Sequence, residues 1–337
     1  MSRKRLAIIS PHFSTGGAPQ VTLNKVELLK DHYDIIVVEY AFLAWNYVVQ
    51  RNKVIDILGD KFYSLGDNKH ELLDILDLFN PDVVSMEEFP EMFMDDMLTR
   101  ELYREDRSYR IIETTHDSSF NPEHKKWMPD KFVFVSAYNI LKYSHLDVPM
   151  KVIEYPVNLK TDERPKKVKQ YLDICIVGLW TPRKNQAYAI ELARQLEDYN
   201  VKFHFIGNHA DNFRYYWEPI MKEFPSNCKW WNERTDVENF YQAADLFLFT
   251  SKGSNTDKET MPLVIREAIS WQVPSLIYNL PVYLDYFNTY KNISYLKDDV
   301  VYNIDKIIKQ LNLNNKMNFT VRYDKSDNKI LYTSFET

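Results

Sequence analysis

Two glutamates, Glu259 and Glu267, stand eight positions apart where the sequence predicts a strand followed by a helix. The apolar run 245–250 is typical of a buried strand. Pro262 marks a helix start, because proline lacks an N–H that would be unpaired there in any case. This predicts Glu259 on the loop entering the helix and Glu267 on its second turn. Carboxylates beside free backbone N–H groups suit a ligand that carries both hydroxyls and phosphates, such as a sugar nucleotide.

A pair of cations follows another predicted strand. After the apolar run 171–177 come Gly178 and then Arg183 and Lys184, just before a predicted helix. Positive charge at a helix N-terminus opposes the helix dipole, so a bound anion explains the pair better than helix stability does. Such a pair neutralises a diphosphate, whose negative charge grows as it departs in a transfer reaction.

Glycines are scarce in this chain, with 7 in 337 residues, so their positions are informative. Gly16 and Gly17 follow the predicted strand 6–10, and Gly207 follows the predicted strand 201–206. A glycine at a strand end lets the backbone approach a ligand closely, although a plain turn explains these glycines about equally well. The spacing matches neither the dinucleotide-binding fingerprint nor the phosphate-binding Walker loop.

Ionisable side chains follow two more predicted strands of the first half. His116 comes after the strand 110–114, where it could hydrogen-bond a sugar hydroxyl, although a structural histidine is the commoner use of such a residue. Glu87 and Glu88 come after the strand 82–86, where they either bind an acceptor or are solvated. Taken singly, these positions favour a structural histidine and solvated glutamates over ligand-binding residues.

Strand and helix patterns alternate along the chain and predict an α/β fold of two Rossmann-like, doubly wound parallel-sheet domains facing a central cleft. The domains are 1–158 and 159–318, joined by a polar, lysine-rich linker that begins at 159. We expect a helix within 319–337 that completes the first domain. Ligands of such sheets bind outside the carboxyl ends of the strands, where all the residues above lie.

Composition restricts the class of protein. A net charge of −6 argues against a general nucleic-acid-binding protein. Cys175 and Cys228 lack a pairing motif, as expected in a reducing compartment. The longest apolar runs fall short of the roughly 18 residues that a membrane span needs. We therefore expect a cytoplasmic protein with no nucleic-acid partner and no transmembrane segment, while peripheral membrane contact stays open.

Taken in order, these motifs resemble the retaining nucleotide-sugar glycosyltransferases of family 4, which have the GT-B fold. The segment 257–268, DKETMPLVIREA, is similar to the family's signature of two glutamates separated by seven residues. The stretch 241–251, YQAADLFLFTS, resembles the family's sequence before that signature. Glu267 and Ala268 followed by a Val-Pro pair resemble the sequence after it. The resemblance covers nearly the whole chain.

The resemblance implies roles in binding the donor. Glu267 would bind the ribose hydroxyls, Glu259 would contact the donor sugar, and Arg183 with Lys184 would hold the diphosphate. The other residues that the resemblance assigns to the donor site are Gly178, Gly207, Thr260, Met261, Pro262, Leu263 and Val264.

In the first domain, the resemblance implies that Gly16 and Gly17 flank the reaction centre and that His116 approaches the transferred sugar. Residues 1–158 would bind the acceptor and residues 159–318 the donor. The implied reaction moves a sugar, as a hexosyltransferase does, to a hydroxyl of a glycan, a lipid-linked sugar or another acceptor. Anomeric configuration is retained, and neither a divalent metal nor a cofactor is expected beyond the nucleotide-sugar substrate.

Two alternatives to this function stay open. A nucleotide-sugar 2-epimerase shares the fold, although no convincing acid–base set is visible around a sugar ring. A catalytically degenerate binding subunit is favoured by Leu179, where the family often has arginine, and by Thr260 and Met261, where it has glycines. The intact pair Glu259 and Glu267 argues against such a subunit.

Overall fold

The structure is a computed structural model that describes residues 3–14, 16–41, 48–116, 120–155, 160, 169–253, 259, 261–313, 319–324 and 329–334. Backbone contacts divide the chain into two units. The first unit comprises Met1–Pro156 and Thr256–Leu263. The second comprises Val157–Asn255 and Val264–Thr337.

The first unit is built on a seven-stranded parallel sheet with the order β3-β2-β1-β4-β5-β6-β7. Its strands are β1 (Lys4–Ser10), β2 (Tyr33–Glu39), β3 (Phe62–Ser64), β4 (Val83–Glu87), β5 (Arg110–Thr115), β6 (Lys131–Phe134) and β7 (Met150–Val152). Its helices are α1 (Gly17–Leu29), α2 (Val49–Leu58), α3 (Glu71–Phe79), α4 (Asp96–Leu102) and α5 (Ala137–Tyr143).

Both faces of this sheet are covered. Along β1, Leu6 and Ile8 pack into one hydrophobic cluster, and the alternate residues Ala7 and Ile9 pack into another. Side chains of a strand alternate between the faces of its sheet, so a strand buried on both sides reads as an unbroken apolar run. The unbroken apolar run at 6–9 is therefore explained by the helices that pack against both faces of the sheet.

The second unit contains a six-stranded parallel sheet with the order β10-β9-β8-β11-β12-β13. Its strands are β8 (Leu172–Val177), β9 (Val201–Ile206), β10 (Cys228–Trp230), β11 (Leu246–Phe249), β12 (Ser275–Tyr278) and β13 (Ile293–Leu296). The helices that follow them are α6 (Gln186–Gln195), α7 (Arg214–Lys222), α8 (Val237–Ala243), α9 (Leu263–Ser270), α10 (Pro281–Phe287) and α11 (Val300–Gln310).

In each sheet the strand order reverses beside the first strand of the unit. The reversal lies between β1 and β4 in the first sheet and between β8 and β11 in the second. Loops leaving the carboxyl ends of two such strands run in opposite directions and leave a crevice between them, where ligands of doubly wound sheets bind. The fold thus points to the loops after β1 and β4 in one unit and after β8 and β11 in the other.

The predicted helix within 319–337 is wrong. The chain instead forms an antiparallel pair, β14 (Phe319–Asp324) and β15 (Lys329–Ser334). Both segments are rich in aromatic and β-branched residues and flank the polar sequence KSDN, which is a hairpin pattern rather than a helical one.

Candidate functional site

In the second unit, the loop after β8 is joined to the loop after β11 by hydrogen bonds. The hydroxyl of Thr250 donates to the carbonyls of Lys184 and Asn185, at 3.1 Å and 3.0 Å. The hydroxyl of Ser251 donates to the carbonyl of Arg183 at 2.9 Å. Arg183 and Lys184 are therefore carried on a backbone that is fixed at the strand-order reversal.

The side chain of Lys184 is held from two sides. Its stem lies beside Gly178, where an added Cβ would come within 3.6 Å of Lys184 Cδ. Its ammonium lies 5.5 Å from the centre of the Phe249 ring, a distance at which a cation is attracted to the ring face. These contacts hold the cationic end of the side chain beside the carboxyl ends of β8 and β11.

Glu267 lies on the second turn of α9, as the sequence predicted, because the helix begins at Leu263, one residue after Pro262. The buried hydroxyl of Tyr241 donates to Glu267 Oε2 at 2.8 Å. Burial raises the pKa of Glu267, and the Tyr241 hydrogen bond offsets part of that rise. Within the described part of the chain, Glu267 Oε1 has no hydrogen-bond partner, so this oxygen can accept a bond from a ligand hydroxyl.

Glu259 and the residues after it were predicted to contact the donor. Glu259 is buried, with 9% of its surface exposed. Met261 and Pro262 are also buried, whereas Leu263 and Val264 are partly exposed. Backbone contacts group Glu259 with the first unit and Glu267 with the second. Thr260, the remaining residue of this predicted set, lies outside the described residues.

Gly207 has a structural explanation. A Cβ at this position would lie 2.1 Å from the carbonyl oxygen of Gly178, and the backbone has φ of +141°, which other residues rarely adopt. The glycine therefore lets the loops after β8 and β9 pass each other. The predicted close approach to a ligand is not needed to account for it.

An aromatic stack fills the region after Gly207. The ring of His209 lies parallel to Trp230 at 4.0 Å and to Trp217 at 4.3 Å. Burial lowers the pKa of His209 to about 4, so the ring is neutral near pH 7. Both faces of the histidine are covered, which favours core packing over stacking on a base or sugar for these two tryptophans.

In the first unit, His116 follows β5 as predicted, and both of its ring nitrogens already have partners. Nδ1 lies 2.5 Å from the hydroxyl of Tyr155, and Nε2 lies 3.3 Å from Glu87 Oε2. An ionised carboxylate can only accept, so Nε2 donates to Glu87. Contact between His116 and a sugar hydroxyl would therefore require the exchange of one of these partners.

Glu87 is buried and ionised rather than solvated. Lys25 Nζ lies 2.6 Å from Glu87 Oε1, and the Ser85 hydroxyl donates to the same oxygen at 2.8 Å. Burial alone would raise the pKa of Glu87, but the charge of Lys25 and the hydrogen bonds from His116 and Lys25 lower it to about 2. The solvated alternative for Glu87 and Glu88 is wrong, because Glu88 is buried as well.

A second buried ion pair fixes the glycine loop after β1. Arg51 binds Glu39 with two nitrogens, at 2.8 Å and 3.2 Å, and the backbone N–H of Phe13 donates to Glu39 Oε2 at 2.6 Å. Three residues further along this loop, Gly16 has φ of +153° and caps α1, whose first residue is Gly17. The pair thus holds the chain that enters the helix.

Several of these residues were missed in the sequence. Tyr241 lies inside the quoted stretch 241–251, so the motif itself could have drawn attention to it. Glu39, Arg51 and Lys25 carried no local signal, because their partners are distant in sequence. The described residues contain no group of three or more His, Cys, Asp or Glu side chains arranged to hold a metal ion.

Comparison with known proteins bears on both units. Residues 159–318 match the family model described as "Glycosyl transferases group 1". No curated protein sequence matches the chain.

Solved structures share the fold. Anabaena HepE in complex with UDP and glucose aligns with a TM-score of 0.70 and 13% identity, over 91% of this chain and 90% of that one. A glycosyltransferase from Rickettsia africae aligns with a TM-score of 0.68 and 14% identity, over 92% and 88%. The lipopolysaccharide outer core galactosyltransferase WaaB aligns with a TM-score of 0.59 and 15% identity, over 91% and 90%.

At these identities the likeness establishes the fold alone. The prediction of two parallel-sheet α/β domains with the GT-B architecture is confirmed. Together with the family match, the shared fold supports a glycosyltransferase.

Proposed function

We propose that the protein is a retaining glycosyltransferase that moves a hexose-like sugar from a nucleoside-diphosphate sugar to a hydroxyl group of its acceptor. The observation that carries this proposal is the match of residues 159–318 to a glycosyltransferase family model in a chain with the GT-B fold. The signature pair Glu259 and Glu267, which resembles that of family 4, supports the retaining assignment. The acceptor would be a glycan, a lipid-linked sugar or another hydroxyl compound bound by the first unit.

The donor nucleotide would bind along α9. Glu267 Oε1 would accept hydrogen bonds from the ribose hydroxyls, while Tyr241 holds the other carboxylate oxygen. Glu259 and the backbone 260–264 would contact the sugar and the diphosphate. HepE structures contain UDP with glucose in one complex and UDP-glucose in another, so uridine nucleotides are the first ligands to test.

The leaving diphosphate would be stabilised by Arg183 and Lys184. Negative charge grows on the phosphate as the bond to the sugar breaks, and fixed cations lower the energy of that state most. The acceptor hydroxyl would attack from the face that the phosphate leaves, and the phosphate would take its proton. We infer no requirement for a divalent metal or a separate cofactor.

We further propose a cytoplasmic location, which the two unpaired cysteines, Cys175 and Cys228, support. In the part of the chain that the structure describes, every helix is too short or too polar to cross a membrane.

The proposal is tested by screening UDP, GDP and common sugar nucleotides for a rise in melting temperature and for release of nucleoside diphosphate. A ligand that binds only the folded protein raises the midpoint. Arg183→Ala with Lys184→Ala is expected to slow release at least 100-fold, because two cations that stabilise the leaving group are removed, while the fold stays intact.

Lys306→Ala with Lys309→Ala, both on α11, removes the same charge and serves as the control. Equal release rates in the two double variants would contradict the diphosphate assignment. Conversion of one sugar nucleotide into another without an acceptor would instead indicate an epimerase. Binding without any turnover would indicate a degenerate binding subunit.

A further inference from the structure

The loop after β1 presents a second histidine, His12, from a rigid frame. On one side of it, the carbonyl of Pro11 accepts a backbone hydrogen bond of 2.7 Å. On the other side, the N–H of Phe13 donates to Glu39, and the carbonyl of Phe13 accepts from Arg51 N at 3.1 Å. Hydrogen bonds fix both neighbours of His12, so its Cα atom has little freedom to move.

The orientation of the imidazole ring is set by Ser14. The hydroxyl oxygen of Ser14 lies 2.6 Å from His12 Nδ1. Ser14 is buried, and among the described residues its hydroxyl has no other partner to which it could donate. The hydroxyl therefore donates to Nδ1, which assigns the proton of the neutral ring to Nε2.

The surroundings keep this ring neutral. Burial is the largest influence and lowers the pKa of His12 below its usual value. Two charged groups face the ring from the neighbouring elements: Glu39 on β2 raises the pKa, and Arg51 on α2 lowers it. Glu39 and Arg51 form an ion pair with each other, and their effects on the pKa of His12 oppose each other. Burial therefore decides the direction in which the pKa shifts.

The two histidines of the first unit differ in what they offer a ligand. Both nitrogens of His116 are engaged, by Tyr155 and by Glu87. His12 is partly exposed, and within the described residues its Nε2 has no partner. Its polar N–H is thus available at the carboxyl end of β1, beside the strand-order reversal where ligands of such a sheet bind.

We propose that His12 donates a hydrogen bond from Nε2 to the nucleophilic hydroxyl oxygen of the carbohydrate acceptor, and that Ser14 is the positioning residue that fixes the donating form. This inference rests on the proposed function. It assigns to His12 the contact with a carbohydrate hydroxyl that the sequence had suggested for His116. A neutral donor orients a hydroxyl by its oxygen and leaves the hydroxyl proton free to pass to the leaving phosphate.

The first test is independent of turnover. Spectra of the full-length protein labelled with ¹⁵N in histidine are expected to contain an Nε2–H signal for His12 at pH 7, identified by its loss in His12→Gln. In Ser14→Ala the population of that form is expected to fall. A proton on Nδ1, or a doubly protonated ring, would overturn the assignment.

The second test uses hydrolysis of a sugar nucleotide, in which water replaces the acceptor hydroxyl. The amide nitrogen of glutamine lies near the position of Nε2, whereas that of asparagine lies near Nδ1. His12→Gln is therefore expected to retain the rate within about threefold, and His12→Asn to lose at least tenfold. His145→Gln, an exposed histidine of the same unit, is the matched control and is expected to keep the full rate.

Equal losses in His12→Gln and His12→Asn would overturn the donor role in favour of a base or a structural role, and the absence of any loss would overturn the contact altogether. A wild-type protein that hydrolyses no sugar nucleotide would overturn the proposed function, and the acceptor contact with it. The tautomer of His12 would still be decided by the spectra, so the two failures are distinguishable.

Discussion

Gly207 illustrates how a single residue constrains the candidate site. Its backbone conformation is unfavourable for any other residue, and the space for a side chain is occupied by the Gly178 carbonyl. The same contact brings the loop after β9 against the loop that carries Lys184. The sequence marked this glycine because glycines are scarce, but only the structure identifies its neighbour.

Gly207→Ala is expected to lower the free energy of unfolding by roughly 3 kcal/mol, because backbone strain and a clash with backbone atoms add. Gly66→Ala is the matched control. Gly66 also has a positive φ, of +55°, but a Cβ there meets nothing within 4 Å. Gly66→Ala should lower the free energy of unfolding by about 1–2 kcal/mol, because only the left-handed backbone conformation is unfavourable there. Urea unfolding of both variants gives the comparison, and equal costs would contradict the clash.

At the scale of elements, the charged residues that the sequence left unexplained are buried between strands and helices of the first unit. Lys125 lies 2.8 Å from Glu113 and 2.9 Å from Glu91, with all three side chains buried. The Tyr103 hydroxyl donates to Glu113 at 2.7 Å. Burial raises the pKa of Glu113 to about 7, although Lys125 and Tyr103 act in the opposite direction.

This pKa predicts a pH-dependent stability. Below pH 4.5 Glu113 is protonated in both the folded and the unfolded chain. As the pH rises towards 7, only the unfolded chain loses the proton, so stability is lost, on the order of 3 kcal/mol in all. Glu113→Gln resembles the protonated acid in shape and cannot ionise, so this loss should be absent in the variant.

The measurement is urea unfolding of the wild type and of Glu113→Gln between pH 5 and 8. The variant is expected to gain stability relative to the wild type as the pH rises, while Glu91 still neutralises Lys125. Curves that stay parallel over this range would contradict the raised pKa.

The elements themselves were predictable in so far as their signals are local. The apolar runs and the proline at position 262 located β1, β8, β11 and the start of α9 within a few residues. The strand β3 was missed because three residues are too few for a periodic pattern. The helix α11 was missed although Asp299 caps it, accepting a hydrogen bond from Tyr302 N at 3.0 Å. An aspartate ahead of an amphipathic run is a usable signal.

At the scale of the whole molecule, the alternation of strands and helices was enough to predict two doubly wound parallel sheets. The signal is strong because strand and helix patterns follow each other repeatedly along both halves of the chain. The ion pairs were not predictable. Glu39 with Arg51 and Glu113 with Lys125 are brought together by folding, and many charged residues of the chain could have made such pairs. The strand-end positions of Arg183 and Lys184 and the place of Glu267 on the second turn of a helix were predicted. The hydrogen bonds from Tyr241 to Glu267 and from Thr250 to the carbonyl of Lys184 emerged only from the structure.

The central claim is that the second unit binds a nucleoside-diphosphate sugar between the loop after β8 and the start of α9. A crystal structure of the protein with the nucleoside diphosphate found in the screen tests this most directly. We predict ribose hydroxyls within hydrogen-bonding distance of Glu267, and phosphate oxygens against Arg183 and Lys184. A nucleotide bound elsewhere, with Glu267 still bonded to Tyr241 alone and both cations facing solvent, would contradict the claim.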